Sequence, residues 1–129
     1  MNKDLAVVIL AGGVGKRFLP FVTDKRLFPF QGETIIARNV GKLVTAGFTR
    51  FVIVTNKVND AAIRSIERPN VSIETVVQND PNGMADALLA ASSLLLGGPM
   101  LVVNAEDMVD ESLYVSLITR IRKRQPFVV

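Results

Sequence analysis

Short apolar runs of strand length alternate with helix-forming patterns along this 129-residue chain. The first run, from Leu5 to Leu10, is almost unbroken, as expected of a parallel strand that is covered on both faces. Three further runs follow, at 51–54, 71–77 and 100–103. Strands that alternate with helices predict an α/β fold with a mostly parallel sheet. Ligands of such sheets bind beyond the carboxyl ends of the strands, so the loops there form the candidate site.

Helical patterns fill the spaces between these runs. Apolar residues recur at helical spacing after Thr34, which can cap a helix, until Gly47, which is well placed to end it. A short helix is predicted over 61–66, and a third begins near Gly83. The predicted inner face of that third helix consists of Ala85, Leu88, Leu89, Ser92, Leu95 and Leu96.

A last helix is predicted to start after Asp110 and to end near Pro126. Its inner stripe would be formed by Tyr114, Leu117, Ile118 and Ile121. The final residues, 127–129, have the pattern of a fifth strand.

Composition limits the chemistry that this sequence can perform. It is 49% hydrophobic and 21% charged, which suits one folded domain. It contains no cysteine and no histidine, and this excludes thiol nucleophiles, imidazole bases, disulfides and Cys/His zinc sites. No apolar run approaches the roughly 20 residues of a membrane helix. We therefore expect a soluble cytoplasmic protein without membrane contacts, whose net charge of +3 is compatible with anionic ligands.

The first strand runs into a glycine-rich turn, LAGGVGKRF, whose backbone N–H groups can approach a phosphate closely. The turn is not a Walker loop, because Lys16 is followed by Arg17 instead of Ser or Thr. It also lacks the third glycine of a dinucleotide fingerprint, since Phe18 stands there. Lys25 and Arg26 add two more cations nearby, and such a set indicates a phosphate ligand.

Three stretches resemble the sugar-phosphate nucleotidyltransferases. LAGGVGKRF, followed by DKRLFPF, resembles the signature of that family: Leu, Ala, two glycines, any residue, Gly, Thr and Arg, then a lysine before Leu-x-Pro. QNDPNGMADAL, from Gln78, is similar to the family's glutamine, spacer and Gly-Thr-Ala-x-Ala-Leu. LVVNAED, ending at Asp107, resembles the end of its fourth strand, where a Gly-Asp pair supplies a magnesium ligand. The resemblance covers nearly the whole chain.

The resemblance implies a Rossmann-like three-layer sandwich and an enzyme that joins a nucleoside triphosphate to a sugar 1-phosphate, with release of pyrophosphate. Arg17 and Lys25 would be catalytic and hold the triphosphate. Either Glu106 or Asp107 would bind Mg²⁺, and Asp107 is slightly favoured. The nucleotide-binding positions that it implies are Leu10, Ala11, Gly12, Gly13, Gly15, Lys16, Gln78, Gly83 and Met84.

The sequence departs from the family pattern at two positions. Lys16 replaces the usual threonine, and Ala-Glu-Asp replaces Gly-Asp, which leaves the metal ligand open between two carboxylates. Family members are also longer than this chain. We therefore expect residues 1–129 to be the nucleotide-binding, amino-terminal part of a truncated nucleotidyltransferase domain. Such a sheet would expose an edge, which makes a homo-oligomer possible.

Other functions fit parts of the sequence. One is a nucleotide-binding or regulatory module without turnover, and another is a guanylyltransferase of the molybdenum-cofactor type. Nucleic-acid binding through the basic run 120–124 is disfavoured, because basic residues at a helix end are explained by the helix dipole. The sequence specifies neither the base, nor the sugar, nor the oligomeric state.

Overall fold

The computed structural model describes residues 5–12, 29–30, 32–78, 83–95, 99–107 and 109–122. In chain order, the elements within these residues are β1 Ala6–Leu10, β2 Pro29–Phe30, β3 Glu33–Thr34, α1 Ile35–Ala46, β4 Arg50–Thr55, α2 Asp60–Arg64, β5 Ser72–Val77, α3 Met84–Ala91, β6 Met100–Asn104 and α4 Glu111–Arg122.

The four longer strands form one parallel sheet in the order β5-β4-β1-β6. Val7 of β1 pairs with Phe51 on one side and with Leu101 on the other. The predicted parallel α/β sheet is therefore confirmed, and the carboxyl ends of its strands share one edge. A small antiparallel pair, β2 with β3, was not predicted, because strands of two residues are too short to show a periodic pattern.

Helices cover the sheet on both faces. Alternate residues of the central strands, such as Val7 and Ile53, pack against α1, α2 and α4. The intervening residues, such as Val8 and Val52, pack against α3. Apolar side chains therefore leave both faces of β1 and β4, which explains why these strands are continuous apolar runs. The resulting arrangement is the expected three-layer sandwich.

Three of the four predicted helices form where the sequence predicts them. Thr34 caps α1 through its Oγ1, which accepts from Ala37 N at 3.2 Å, and Gly47 ends it with a φ of 114°. α2 ends at Arg64, two residues before the predicted end. In α4 the predicted inner stripe, from Tyr114 to Ile121, is buried.

The predicted inner face of α3 is wrong in part. The helix ends at Ala91 and continues as a 3-10 turn, Ser92–Leu94. Ala87 and Ala91 are buried against the sheet, whereas Ala85 is exposed and Leu89 is 70% exposed. Almost every residue of this helix is apolar, so periodicity does not select one face, and the small alanines allow the closest approach to the sheet.

Several predictions fall on residues outside the described part of the chain: Gly13, Gly15, Lys16, Arg17, Lys25, Leu96 and the fifth strand at 127–129. Within the described residues, no helix has the length and apolar character that a membrane span requires.

Candidate functional site

At the carboxyl edge of the sheet, the loops that follow β1, β5 and β6 are each hydrogen-bonded to the end of a neighbouring strand. Each bond continues the ladder for one step beyond the strands, so the first residues of these loops are held as firmly as strand residues. The three bonds are Ala11 N to Val54 O at 2.8 Å, Gln78 N to Thr55 O at 2.7 Å, and Ala105 N to Leu10 O at 3.1 Å.

Gly12 and Gln78 are in direct contact although β4 lies between their strands. A Cβ atom at Gly12 would lie 2.5 Å from Oε1 of Gln78 and 3.3 Å from the carbonyl oxygen of Thr55. Real Cβ atoms essentially never approach another atom within 3.0 Å. Any other residue here would displace the Gln78 side chain, so glycine allows the close approach that the structure shows. Two of the sequence motifs thus meet at one point.

The orientation of the Gln78 amide is determined by its partners. The side chain is only 5% exposed. Its Nε2 donates to Oδ2 of Asp86 at 3.1 Å and to the carbonyl oxygen of Gly83 at 3.4 Å. An ionised carboxylate only accepts hydrogen bonds, so Asp86 selects Nε2 as its neighbour and turns Oε1 towards Gly12. The acceptor atom of the amide therefore lies against Gly12.

The amino-terminal end of α3 lies beside this amide. Gly83 precedes the helix with a φ of 98°, a left-handed value that favours glycine, and open space surrounds the position of its missing Cβ. Among the described residues no side chain caps the helix, so its first N–H groups can bind a ligand or water. Met84 begins the helix and is 57% exposed. Gly12, Gln78, Gly83 and Met84 thus lie together at one edge of the sheet.

The buried amide of Asn59 holds the backbone directly before Gly12. Nδ2 of Asn59 donates to the carbonyl oxygen of Ala11 at 2.8 Å, and the Asn59 side chain has no exposed surface. Its Oδ1 accepts from Asn56 N at 2.9 Å. Asn59 therefore fixes the peptide that leads directly into Gly12.

The acidic pair occupies the turn after β6, on the other side of β1 from Gln78. Asp107 is exposed and Glu106 is half-buried. Burial, and secondly the negative charge of Asp107, raise the pKa of the Tyr114 phenol above its ordinary value. Asp107 therefore lies close to the buried side of α4.

Two side chains of α1 hold the segment that carries this pair. Nδ2 of Asn39 donates to the carbonyl oxygen of Ala105 at 2.7 Å. Nζ of Lys42 donates to the carbonyl oxygen of Val109 at 3.1 Å. Because the donors are three residues apart, they lie on the same face of the helix. α1 thus contacts the acidic segment on both sides of the carboxylates.

The donor set of this turn suits a hard cation. Magnesium takes oxygen ligands, retains several waters and is commonly held by one or two carboxylates together with substrate phosphates. In the part of the chain that the structure describes, no group of three or more acidic residues could hold a metal ion by itself. Glu106 and Asp107 therefore fit a magnesium ion that also binds a phosphate ligand, and the choice between them stays a prediction.

Sequence reasoning missed the supporting residues. Asn39 interrupts the apolar stripe of α1 one position before Val40, and a polar residue at such a position was the available signal. Asn59 and Asp86 gave no comparable signal, because their partners are brought together only by the tertiary fold.

Known proteins resemble this chain along most of its length. Residues 6–128 match the family model described as nucleotidyl transferase. A glucose-1-phosphate thymidylyltransferase from Actinoplanes sp. is 26% identical over 79% of this chain and 36% of its own length. A mannose-1-phosphate guanyltransferase from Emericella nidulans is 32% identical over 82% of this chain and 31% of its own length. This chain therefore spans about a third of the length of these curated relatives.

Solved structures agree at the level of the fold. A UDP-glucose pyrophosphorylase, crystallised with UDP-glucose, superposes with a TM-score of 0.77 at 19% identity. The match covers 92% of this chain and 53% of that one. The family model, with Gly12 and Gln78 at one sheet edge, leads to one conclusion: this chain belongs to the nucleotidyl transferase family.

Proposed function

We propose that this chain is the nucleotide-binding, amino-terminal part of a sugar-1-phosphate nucleotidyltransferase. The observation that carries the proposal is the contact between Gly12 and Gln78, which joins the two motifs that the resemblance assigns to the nucleotide. The printed activities of the relatives, a thymidylyltransferase for glucose 1-phosphate and a guanyltransferase for mannose 1-phosphate, support the same reaction class.

In the proposed reaction, a phosphate oxygen of the sugar 1-phosphate attacks the α-phosphorus of a nucleoside triphosphate. A new P–O bond forms there, the bond to the β-phosphate oxygen breaks, and pyrophosphate leaves with its electron pair. No protein nucleophile is needed, which suits a chain without cysteine or histidine. Alignment of the reactants and neutralisation of their charge are sufficient for such a transfer.

The described residues have distinct parts in this proposal. The backbone of Leu10, Ala11 and Gly12 would approach the nucleotide, because Gly12 presents no side chain. Oε1 of Gln78 would accept a hydrogen bond from an N–H group of the base, since Nε2 is already bound to Asp86. Gly83 and Met84 would line the base pocket beside the start of α3.

Cations would complete the site. Arg17 and Lys25, with Gly13, Gly15 and Lys16, are proposed from the sequence to hold the triphosphate. Asp107, or Glu106, would hold Mg²⁺, which when bound neutralises charge on the phosphates. The carboxylate pair lies next to the end of β1, because Ala105 is hydrogen-bonded to Leu10. A cation there would lie beside the glycine-rich turn.

The finer properties are proposals of the same kind. The base and the sugar differ between the relatives, so the donor and the acceptor are to be found by experiment. We propose a cytoplasmic location without nucleic-acid or membrane partners, and homo-oligomerisation is open to test. A nucleotide-binding module without turnover and a molybdenum-cofactor-type guanylyltransferase are the alternatives.

Pyrophosphate release tests the proposal directly. Each nucleoside triphosphate is incubated with the intact enzyme that contains this chain, Mg²⁺ and either glucose 1-phosphate or mannose 1-phosphate. We expect release that requires both substrates and one preferred base. Nucleotide binding without release would favour the module without turnover. Release that needs no sugar phosphate, or the absence of any nucleotide binding, would contradict the proposal.

A further inference from the structure

The turn with the acidic pair is held by a residue that lies outside the three sequence motifs, Asn39. Asn39 lies in α1, 66 residues before its partner Ala105, and its side chain is 2% exposed. Ala105 has no exposed surface and directly precedes Glu106. The hydrogen bond between them, at 2.7 Å, is therefore protected from water and next to the proposed ligands.

The amide of Asn39 makes one hydrogen bond where it could make more. Its Oδ1 is buried and accepts none from any residue that the structure describes. A buried acceptor without a partner is unfavourable, and an aliphatic side chain of similar size would avoid that cost. What asparagine supplies here, and leucine would not, is the donor that fixes the Ala105 carbonyl.

We propose that Asn39 is a positioning residue of the metal site: it fixes the Ala105 peptide and so presents the Glu106 and Asp107 carboxylates to a divalent cation. This inference rests on the proposed function, because it requires that the acidic turn binds the cation. Groups that orient the ligands of a metal typically change its affinity 10- to 100-fold when they are lost. Asn39 would act in this way through the backbone, without contacting the metal itself.

Tyr114 provides a local probe of this site. It is the only tyrosine in a chain without tryptophan, and its phenol senses the charge of Asp107. Terbium(III) takes oxygen ligands as Mg²⁺ does, and it emits when an excited tyrosine lies close to it. Terbium emission excited through Tyr114 therefore reports a cation bound close to this side chain, and the Tyr114→Phe variant should abolish the signal.

The test compares two variants that each remove a buried amide at the same sheet edge. In Asn39→Leu, we expect the dissociation constant of terbium(III) to rise about tenfold. In the control, Asn59→Leu, which loses the support of Ala11, we expect no change in terbium affinity. Competition by Mg²⁺ should show the same difference. The control loses two hydrogen bonds instead of one, so general destabilisation would weaken it more than Asn39→Leu.

The outcomes separate the two proposals. If the unmodified chain shows no terbium emission through Tyr114, either alone or with a nucleoside triphosphate, the metal assignment under the proposed function fails and this inference fails with it. If terbium binds the unmodified chain and Asn39→Leu equally well, the inference alone is overturned.

A measurement on the unmodified chain applies even if Asn39→Leu does not fold. Metal binding and the Asn39 hydrogen bond should stabilise each other by the same factor, because coupling between two binding events is reciprocal. Saturating Mg²⁺ should therefore slow hydrogen exchange of the Asn39 side-chain amide. Unchanged exchange in a chain that binds the cation would contradict the inference.

Discussion

The two sides of the candidate site are stabilised in different ways. On the side of α3, the groups that would face the nucleotide also hold each other: Gln78 contacts Gly12, and Asp86 fixes its amide. On the side of α4, the Asp107 carboxylate is exposed, and the support comes from Asn39 through a backbone carbonyl. Under the proposed function, base selection would depend on a side-chain contact, and cation binding would depend on the conformation of a turn.

This difference explains why sequence motifs find one side more completely than the other. A residue that is proposed to contact the ligand needs a particular chemical type, so Gln78 and Gly12 stand out within their motifs. A residue that supports a carbonyl oxygen needs only a donor in the right place, and that place is determined by the packing of α1 against the acidic segment.

The largest effect is expected from the cations that the resemblance assigns to the triphosphate. In the intact enzyme, Arg17→Ala and Lys25→Ala should each lower turnover about a hundredfold or more, the size found when a group that stabilises developing charge is removed. The rate of pyrophosphate release measures this effect. Arg26→Ala is the matched control, because Arg26 is a neighbouring cation outside the family pattern. Equal rates in Lys25→Ala and Arg26→Ala would contradict the assignment.

Gly12→Ala is expected to damage the α3 side specifically. The added Cβ would meet Oε1 of Gln78 at 2.5 Å and force the amide away from Asp86. Overpacking of this kind costs about 1–3 kcal/mol, so triphosphate affinity should fall about tenfold or more while terbium affinity is retained. Calorimetric titration gives the first value. The control is Gly41→Ala, whose Cβ meets Arg68 at an ordinary 3.7 Å. Loss of terbium binding in Gly12→Ala would show that the two sides are not independent.

Substitutions in the acidic turn are expected to weaken terbium binding. Asp107→Asn removes an exposed charge from the proposed metal site and should weaken terbium binding about tenfold. Glu106→Gln should have a smaller effect if Asp107 is the ligand. Asp110→Asn serves as the control, since Asp110 is a nearby exposed acid. A larger loss in Glu106→Gln than in Asp107→Asn would assign the ligand to Glu106.

A smaller effect is expected from the residue that orients the amide. Asp86→Ala leaves Nε2 of Gln78 with only the longer hydrogen bond to the Gly83 carbonyl, so the amide can rotate more easily and its acceptor is less firmly fixed towards Gly12. One lost hydrogen bond of about 1 kcal/mol corresponds to a several-fold loss of triphosphate affinity and of base preference. Asp86→Asn retains an acceptor oxygen and should behave like the unmodified chain. Identical base preference in Asp86→Ala would exclude this role.

The smallest effect concerns Tyr114. Its pKa in the folded chain is raised, above all by burial, so the folded state disfavours the phenolate. The contribution of the neutral phenol to the free energy of unfolding is fully present below the unfolded pKa of about 10, and it is lost as the pH rises through the folded pKa. In that window the unfolding free energy should fall by up to about 1.4 kcal/mol per pH unit. Urea unfolding at several pH values measures this decline, and it should be smaller in Tyr114→Phe. An equal decline of the unfolding free energy in both chains would contradict the expectation.

Much of the fold could be predicted from the sequence, because the strands that are buried on both faces are continuous apolar runs. The face of α3 could not, because a helix composed almost entirely of apolar residues has no polar side to mark it. The acidic turn was placed correctly after β6, yet its support by Asn39 could not be predicted. That contact joins residues 39 and 105, and the sequence pattern of α1 shows only that a polar residue interrupts an apolar stripe.

The central claim is that the carboxyl edge of this sheet binds a nucleoside triphosphate together with a divalent cation. Calorimetric titration with each nucleoside triphosphate, with and without Mg²⁺, tests it most directly when repeated on Gly12→Ala and Arg17→Ala. The account predicts binding that prefers one base, strengthens with Mg²⁺ and weakens at least about tenfold in both variants. Failure of every triphosphate to bind, or equal binding by the unmodified chain and both variants, would contradict it.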